Sequence, residues 1–355
     1  MSTMAFALLK QTLKRTTWNF CRSLLRTCPF VRDGYHYLLK RRIVRAMFYL
    51  PDAVRAYRHM RWGTTRETYW KLSAETIFYF HKLEKGLCIP GQKRFFGADA
   101  AITLVSLLDR WRARSYSIDD PVYVGALECL RAYRSRLALT PPPVKLADGL
   151  KRRIDTCLAD ASSRPEFSTP MSAMQCTGAA ETLQRLCIAR RSVRAYRPEP
   201  VALSDVHDAI AIAQLSPSAC NRQSWRVHAY QDRRQMDSLL ALQNGNRGFG
   251  HLIPLLLIIT AEANGFFDGS ERNQPYIDAG LFTMTLLLSL QARGLSSCCL
   301  NWCVTDPTLD IKAHRLGRIP ESEIIIMYLA VGYADDAALV PRSVRRDINS
   351  FLVVH

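Results

Sequence analysis

No apolar run in this chain of 355 residues approaches the roughly 20 residues that a bilayer-spanning helix needs. The longest candidate, Leu252–Thr260, has the length of a strand. The 11 cysteines are scattered, and the closest group, Cys298, Cys299 and Cys303, has no histidine or aspartate at metal-ligand spacing. No metal site is therefore expected. In a chain this long with no clear signal peptide, no disulfide scaffold is expected, and a reducing, cytoplasmic setting is. Also missing are a Gly-rich turn opening a βαβ unit, a phosphate-binding G-x-x-x-x-G-K-[ST] loop, an H-E-x-x-H pair and a G-x-S-x-G elbow. His207 and Asp208 are adjacent rather than helically paired, and His251 stands alone beside a buried strand, so no catalytic residue is assigned. No nucleic-acid module is present, and no nucleic-acid partner is expected.

Acidic residues are nearly absent from one end. Lys plus Arg against Asp plus Glu is 13 to 2 for residues 1–61, 17 to 12 for 62–179 and 18 to 17 for 180–355. The net charge of +17 is thus mainly N-terminal, and arginines in the balanced C-terminal half are better read as particular sites than as part of a general basic field. A composition of 48% hydrophobic and 22% charged residues is that of a folded globular chain.

These shifts suggest three regions. Residues 1–61 interleave Phe6, Leu8, Leu9, Leu13, Trp18, Phe20, Leu24 and Leu25 with Lys10, Lys14, Arg15, Arg22 and Arg26. Helical spacing turns this into a basic amphipathic segment. It either touches an anionic membrane peripherally, at the inner membrane face, or packs on the protein with its charges in solvent. Residues 62–179 form a helical region, with helices expected over Thr68–Lys85, stopping at Gly86, over 98–114 and near Leu150–Leu158 after the prolines at 141–143. Residues 180–355 alternate types. Helices are expected at Ala179–Ala189, beyond a Ser204 cap, at Gln235–Leu242, after Asp278 and at Pro307–Leu316 capped by Asp306. Strands are expected at Trp225–Tyr230, Leu252–Ala261, around Ser296–Trp302 and at Ile324–Gly332. This pattern implies a central sheet in an α+β or α/β layer.

Arg190, Arg191, Ser192 and Arg194 place guanidinium forks and a hydroxyl just past a helix, a set suited to phosphate. Arg342, Arg345 and Arg346 form a second basic cluster in the tail. Ser216–Trp225 supplies small residues and the amides of Asn221 and Gln223. If extended, these amides could read the edge of a planar heterocycle. Phosphate at one end and a flat polar ring at the other outline a nucleotide-like cofactor; an arginine patch beside an ordinary polar loop is the alternative.

The stretches IARRSVRAYRPEPV and AIAQLSPSACNRQSW within Ile188–Trp225, YIDAGLFTMTLLLSLQARGLSSCCL at Tyr276–Leu300, IPESEIIIMYLAVGY at Ile319–Tyr333 and VPRSVRRDI at Val340–Ile348 resemble the nitroreductase superfamily in matching order. The resemblance implies an α+β fold, with a mixed, largely antiparallel sheet surrounded by helices, preceded here by a helical N-terminal extension. It implies FMN as cofactor, a homodimer with the flavin at its interface, and hydride moving from NAD(P)H through the flavin to a small oxidised acceptor. Arg190, Arg191 and Ser192 correspond to residues on the FMN phosphate and ribityl chain, with Arg194 in support. Pro217, Ser218, Ala219, Asn221 and Gln223 correspond to the segment against the ring. Cys299 and Leu300 lie at the strand end offering a backbone N–H. Arg342 and Arg345 fall in the tail, where the usual lysine position holds Ser343. That departure, with the long extension, leaves a degenerate flavin-binding or non-enzymatic protein as the alternative function.

Residues 1–179 have no counterpart in small members of that superfamily. The combination with HKLEKGL, His81–Leu87, resembles longer bacterial members linked to polysaccharide production. His81, Glu84 and Lys85 share one helical face, so they either roof the flavin pocket or form a local salt-bridged cap.

Overall fold

A computed structural model describes residues 49–62, 67–89, 95–159, 176–303 and 307–355; for 144–148 and 307 it describes the backbone alone. The chain divides into two compact units, Met1–Arg55 and Ala56–His355. Most of the basic amphipathic segment, and the expected Asp306 cap, lie outside the described residues. Helix α1, Tyr49–His59, bears no buried residue. No helix among the described residues is long and apolar enough to cross a membrane.

Within the second unit a helical cluster comes first. Helix α2, Tyr69–Cys88, begins where the Thr68 hydroxyl accepts the Lys71 N–H at 3.3 Å. It runs past Gly86 instead of stopping there. A Cβ on Gly86 would lie 2.2 Å from the Phe96 ring, so this glycine serves close packing and not a helix end. Helix α3, Ala98–Ala113, follows Gly97, whose φ of 75° lies in the left-handed region. Helix α4, Pro121–Leu139, starts with Asp120 accepting from the Val122 N–H at 2.9 Å and a proline in the first turn. Helix α5, Val144–Leu158, is longer than expected because it begins directly after Pro143. The four bury one core that includes Leu104, Leu107, Leu108, Leu130 and Ile154 around Trp111, whose indole N–H donates to the Ser117 carbonyl at 2.9 Å.

Helix α6, Ala179–Ala189, and helix α7, Leu203–Ala213, lead to the sheet. Ser204 is not the cap of α7. That place falls to Ala202, with no side-chain hydrogen bond, directly after the buried Val201. Strand β1, Trp225–Tyr230, is followed by helix α8, Arg233–Leu240, which starts earlier than expected because Asp232 accepts the Gln235 N–H at 2.8 Å. Strand β2, Leu255–Glu262, is buried throughout. Helix α9, Gln274–Ala292, begins a turn before Asp278, with Pro275 in its first turn. Strand β3, Ser296–Asn301, helix α10, Pro307–Gly317, and strand β4, Glu323–Gly332, complete the elements.

The strand order is β1-β2-β4-β3 and every neighbouring pair is antiparallel. One parallel bridge, Ser192 to Ser297, extends the sheet at its β3 edge. One face packs Leu256, Ile258, Cys298, Leu300 and Tyr328 against Met236, Leu239 and Ala313 of α8 and α10. The other packs Leu257, Ile259 and Leu329 against Ala209 of α7 and Phe282, Leu286 and Leu290 of α9. Alternation along β2 feeds both layers, which is why it reads as one continuous apolar run. The fold is α+β, a small antiparallel sheet flanked by helices with further helices N-terminal to it.

Candidate active site

Arg190 closes α6, its N–H donating to the Leu186 carbonyl at 2.9 Å. The chain then runs extended along the free edge of β3. The Val193 N–H donates to the Ser297 carbonyl at 3.1 Å. Val193 and Tyr196 are buried, and the Tyr196 hydroxyl donates to the Val193 carbonyl at 2.7 Å, pinning the segment. Arg190, Arg191 and Ser192 are left half-buried and Arg194 exposed. Arg191 donates to the Arg190 carbonyl, yet among the described residues none of Arg190, Arg191 and Arg194 is ion-paired with a carboxylate. Half-buried guanidinium groups without an anion are poised to take one.

Because Ser297 accepts from Val193, its polar groups point off the outer edge of β3. The two-residue repeat of a strand then directs the Cys299 N–H to the same edge. Leu300 faces inward into the core. Burial raises the Cys298 thiol above its ordinary range, opposed by the Arg194 charge and a hydrogen bond with Ser192. Desolvation raises Cys299 too, Cys298 adding to the effect and Arg190 opposing it, although the residue as a whole is exposed. The fold thus brings Arg190, Ser192 and Arg194 to Cys298 and Cys299.

The polar loop is built differently. Pro217 and Ser218 lead into a single turn at Ala219–Asn221, and Cys220, Asn221 and Gln223 have φ of 50°, 56° and 51°. Non-glycine residues in that region cost on the order of 1–2 kcal/mol each. The expected extended run from Asn221 to Gln223 is therefore not formed, and the Gln223 side-chain amide donates to the Asn221 carbonyl at 3.0 Å.

The cause is Arg222, which the sequence reading left out. Its side chain is fully buried, donates to the carbonyls of Ala219 at 2.9 Å and Gly265 at 3.1 Å, and forms a bidentate pair with Glu271 at 2.9 and 2.5 Å. The guanidinium lies over the rings of Phe266 and Trp62, at 5.1 and 5.6 Å. Folding the turn back on this anchor requires the left-handed residues. At the other end the Ala219 N–H donates to both oxygens of Asp278 at 3.2 Å, and Gln274 donates to the same carboxylate at 2.7 Å. Burial raises Asp278 above the ordinary aspartate range, with these hydrogen bonds opposing it. An arginine amid small and amide residues was the available signal for this anchor; Asp278 one turn into a helix gave none.

Helix α2 packs against both the 219–221 turn and the 263–265 turn. The Trp62 indole N–H donates to the Asn264 carbonyl at 3.1 Å, and the Trp62 ring meets Phe78 and Phe267 edge-on. His81 Nδ1 lies 3.1 Å from the Glu84 carboxylate, a local pair, and Lys85 is exposed. Arg342 and Arg345 are exposed, and Arg345 donates to the Ser343 carbonyl. Among the described residues no hydrogen bond or ion pair joins the Arg190–Arg194 edge, the polar loop and the tail to one another.

Residues 188–245 match the model of the nitroreductase family. Over 218 residues the chain is 23% identical to a 4-nitrobenzoate reductase from Pseudomonas putida, covering 46% of this chain and 92% of that one. It is 24% identical to an iodotyrosine deiodinase from Danio rerio over 203 residues, 49% of this chain and 68% of the relative. Among solved structures, a nitroreductase family protein from Streptococcus pneumoniae TIGR4 aligns over 49% of this chain and all of its own, at 19% identity and a TM-score of 0.43. The chain carries a nitroreductase-family fold, that of a superfamily of FMN-dependent oxidoreductases, with an additional N-terminal region beyond it.

Proposed function

We propose that residues 180–355 hold FMN and that the chain moves hydride from NAD(P)H to a small oxidised organic acceptor, working as a homodimer. The observation that carries this reading is the Arg190–Arg194 edge: it falls in the family-matched segment, and its unpaired guanidinium groups lie beside a strand edge with an outward N–H. When bound, the flavin supplies reversible hydride acceptance, so no dedicated acid or base on the chain is required.

In this reading Arg190, Arg191 and Ser192 hold the phosphate end and Arg194 adds its charge. The Cys299 N–H faces the ring edge, and Pro217, Ser218, Ala219, Asn221 and Gln223 lie against the ring. Arg222 and Asp278 touch no cofactor; they fix the loop that does. The helical region 62–179 closes the same neighbourhood through Trp62 and α2.

Dimerisation is supported by an uncovered apolar surface. Ile277, Leu281 and Met284 recur at helical spacing on the outer side of α9, each about half exposed. The tail adds exposed Leu339, Val344, Phe351 and Val354. In this reading Arg342 and Arg345 of the tail serve the phosphate end of a second copy.

The test is the absorbance spectrum of purified protein after reconstitution with FMN. Flavin bands that bleach when NADH or NADPH is added without oxygen are expected. A protein that retains no flavin overturns the reading. Retention without bleaching would favour a flavin-holding, non-enzymatic role, the alternative raised by Ser343 in the tail.

A further inference from the structure

The helical region contains a cleft of about 190 Å³ lined by Val105, Asp109 and Arg112 of α3 and by Arg152, Arg153, Thr156 and Cys157 of α5. It shares no residue with the site described above. Three arginines from two helices line it, with few acidic partners among the described residues. Asp109, mostly exposed, reaches Arg112 at 3.7 Å. Asp155, the acid nearest in sequence to Arg152 and Arg153, is held by Arg134 of α4 at 2.8 and 3.0 Å. Among the described residues neither Arg152 nor Arg153 has a carboxylate partner.

Its inner wall is ordered. Val105 and Cys157 are buried, and Arg112 donates to the Cys157 sulfur at 3.1 Å, which fixes one guanidinium. The Thr156 hydroxyl is committed to the Arg152 carbonyl at 2.9 Å. A helix C-terminal turn favours one basic residue through its dipole, and that accounts for Arg112 at the end of α3. It does not account for Arg152 and Arg153, which precede the last turn of α5. Like charges brought together repel unless an anion sits among them, and guanidinium forks match the oxygens of a phosphoryl group. The volume is below that of drug-sized pockets, which restricts the ligand to a small one.

We propose that this cleft is a binding site for a small phosphate-class oxyanion, inorganic phosphate or pyrophosphate, held by Arg112, Arg152 and Arg153. The test is calorimetric titration of the full chain with each anion, in chloride buffers of matched ionic strength. Wild type is compared with R152E/R153E and with the uncharged R152Q/R153Q. Both side chains are exposed, so the fold should persist, and the thermal unfolding midpoint checks that it does. Saturable binding of either anion that weakens about tenfold or more in both double variants is expected, since charge-assisted bonds are lost. Absence of saturable binding, or equal binding in wild type and variants, overturns the proposal. Weakening in the glutamate variant alone also overturns it, because that result reports the general field and not a site.

Discussion

The helical cluster of α2 to α5 and the sheet region from α6 onward satisfy their polar groups in different ways. In the helical cluster most charges near the core are answered locally: Glu67 pairs with Arg110 and Arg114, the Tyr69 hydroxyl donates to Asp120, and Arg134 grips Asp155. The sheet region leaves Arg190, Arg191 and Arg194 without carboxylate partners among the described residues, exposes an apolar face on α9, and holds three non-glycine residues at positive φ in one loop. Groups left unanswered by the fold mark where a protein expects something else to bind. By that standard the sheet region is the working part. The Arg112–Arg152–Arg153 cleft is the exception in the helical part, and it stands out for the same reason.

Substitutions can break this contrast, beginning with the largest effect. Arg222→Ala should cost about 3 kcal/mol or more, because it removes a fully buried guanidinium and leaves the half-buried Glu271 carboxylate without its bidentate partner. It should also abolish flavin retention by releasing the 219–221 turn; urea denaturation and a flavin spectrum measure the two. Tyr133→Phe, in the helical core, removes the donor to the Phe96 carbonyl. It should cost about 1–3 kcal/mol while leaving flavin retention unchanged, since the helical core is satisfied within itself.

Asp278→Asn sharpens the contrast through pH. The folded carboxyl is raised above its ordinary value of 3.8, chiefly by burial, so the fold favours the protonated form. Its contribution is therefore complete below 3.8 and declines as pH rises through the raised folded value. The amide variant should lack that decline, seen by comparing unfolding free energies of the two proteins across the acid range. Arg190→Ala should have the smallest effect on stability, within about 0.5 kcal/mol. It should nonetheless weaken FMN binding in an equilibrium titration, because it removes a guanidinium that the proposed phosphate end uses and that has no ion-pair partner among the described residues.

Much of the sheet region could be read from pattern. Trp225–Tyr230 matched β1 residue for residue, and the β2 and β4 runs were displaced by a few residues at most, because buried strands demand continuous branched apolar residues. That Arg190 to Arg194 follow directly on a helix was equally legible, α6 ending at Ala189. The loop was misread. Asn221 and Gln223 looked like a spaced pair of readers, while the residue between them, Arg222, sets the conformation through partners 43 and 49 residues away. Gly86 was misread for the same reason. A helix-ending glycine and a packing glycine look alike until Phe96 is placed against it.

The sequence by itself determined the element types, the α+β class, the family resemblance and the chemistry available at Arg190–Arg194. The element types and the chemistry at Arg190–Arg194 follow from periodicity, residue type and local spacing, which act over a few residues, whereas the choice of α+β over α/β came only with the resemblance. The tertiary structure alone decided which edge of the sheet those arginines line, that Trp62 and Glu271 clamp the loop through Arg222, and that Arg112 shares a cleft with Arg152 and Arg153. Each depends on residues distant in sequence meeting in space, and that meeting is set by packing the cores.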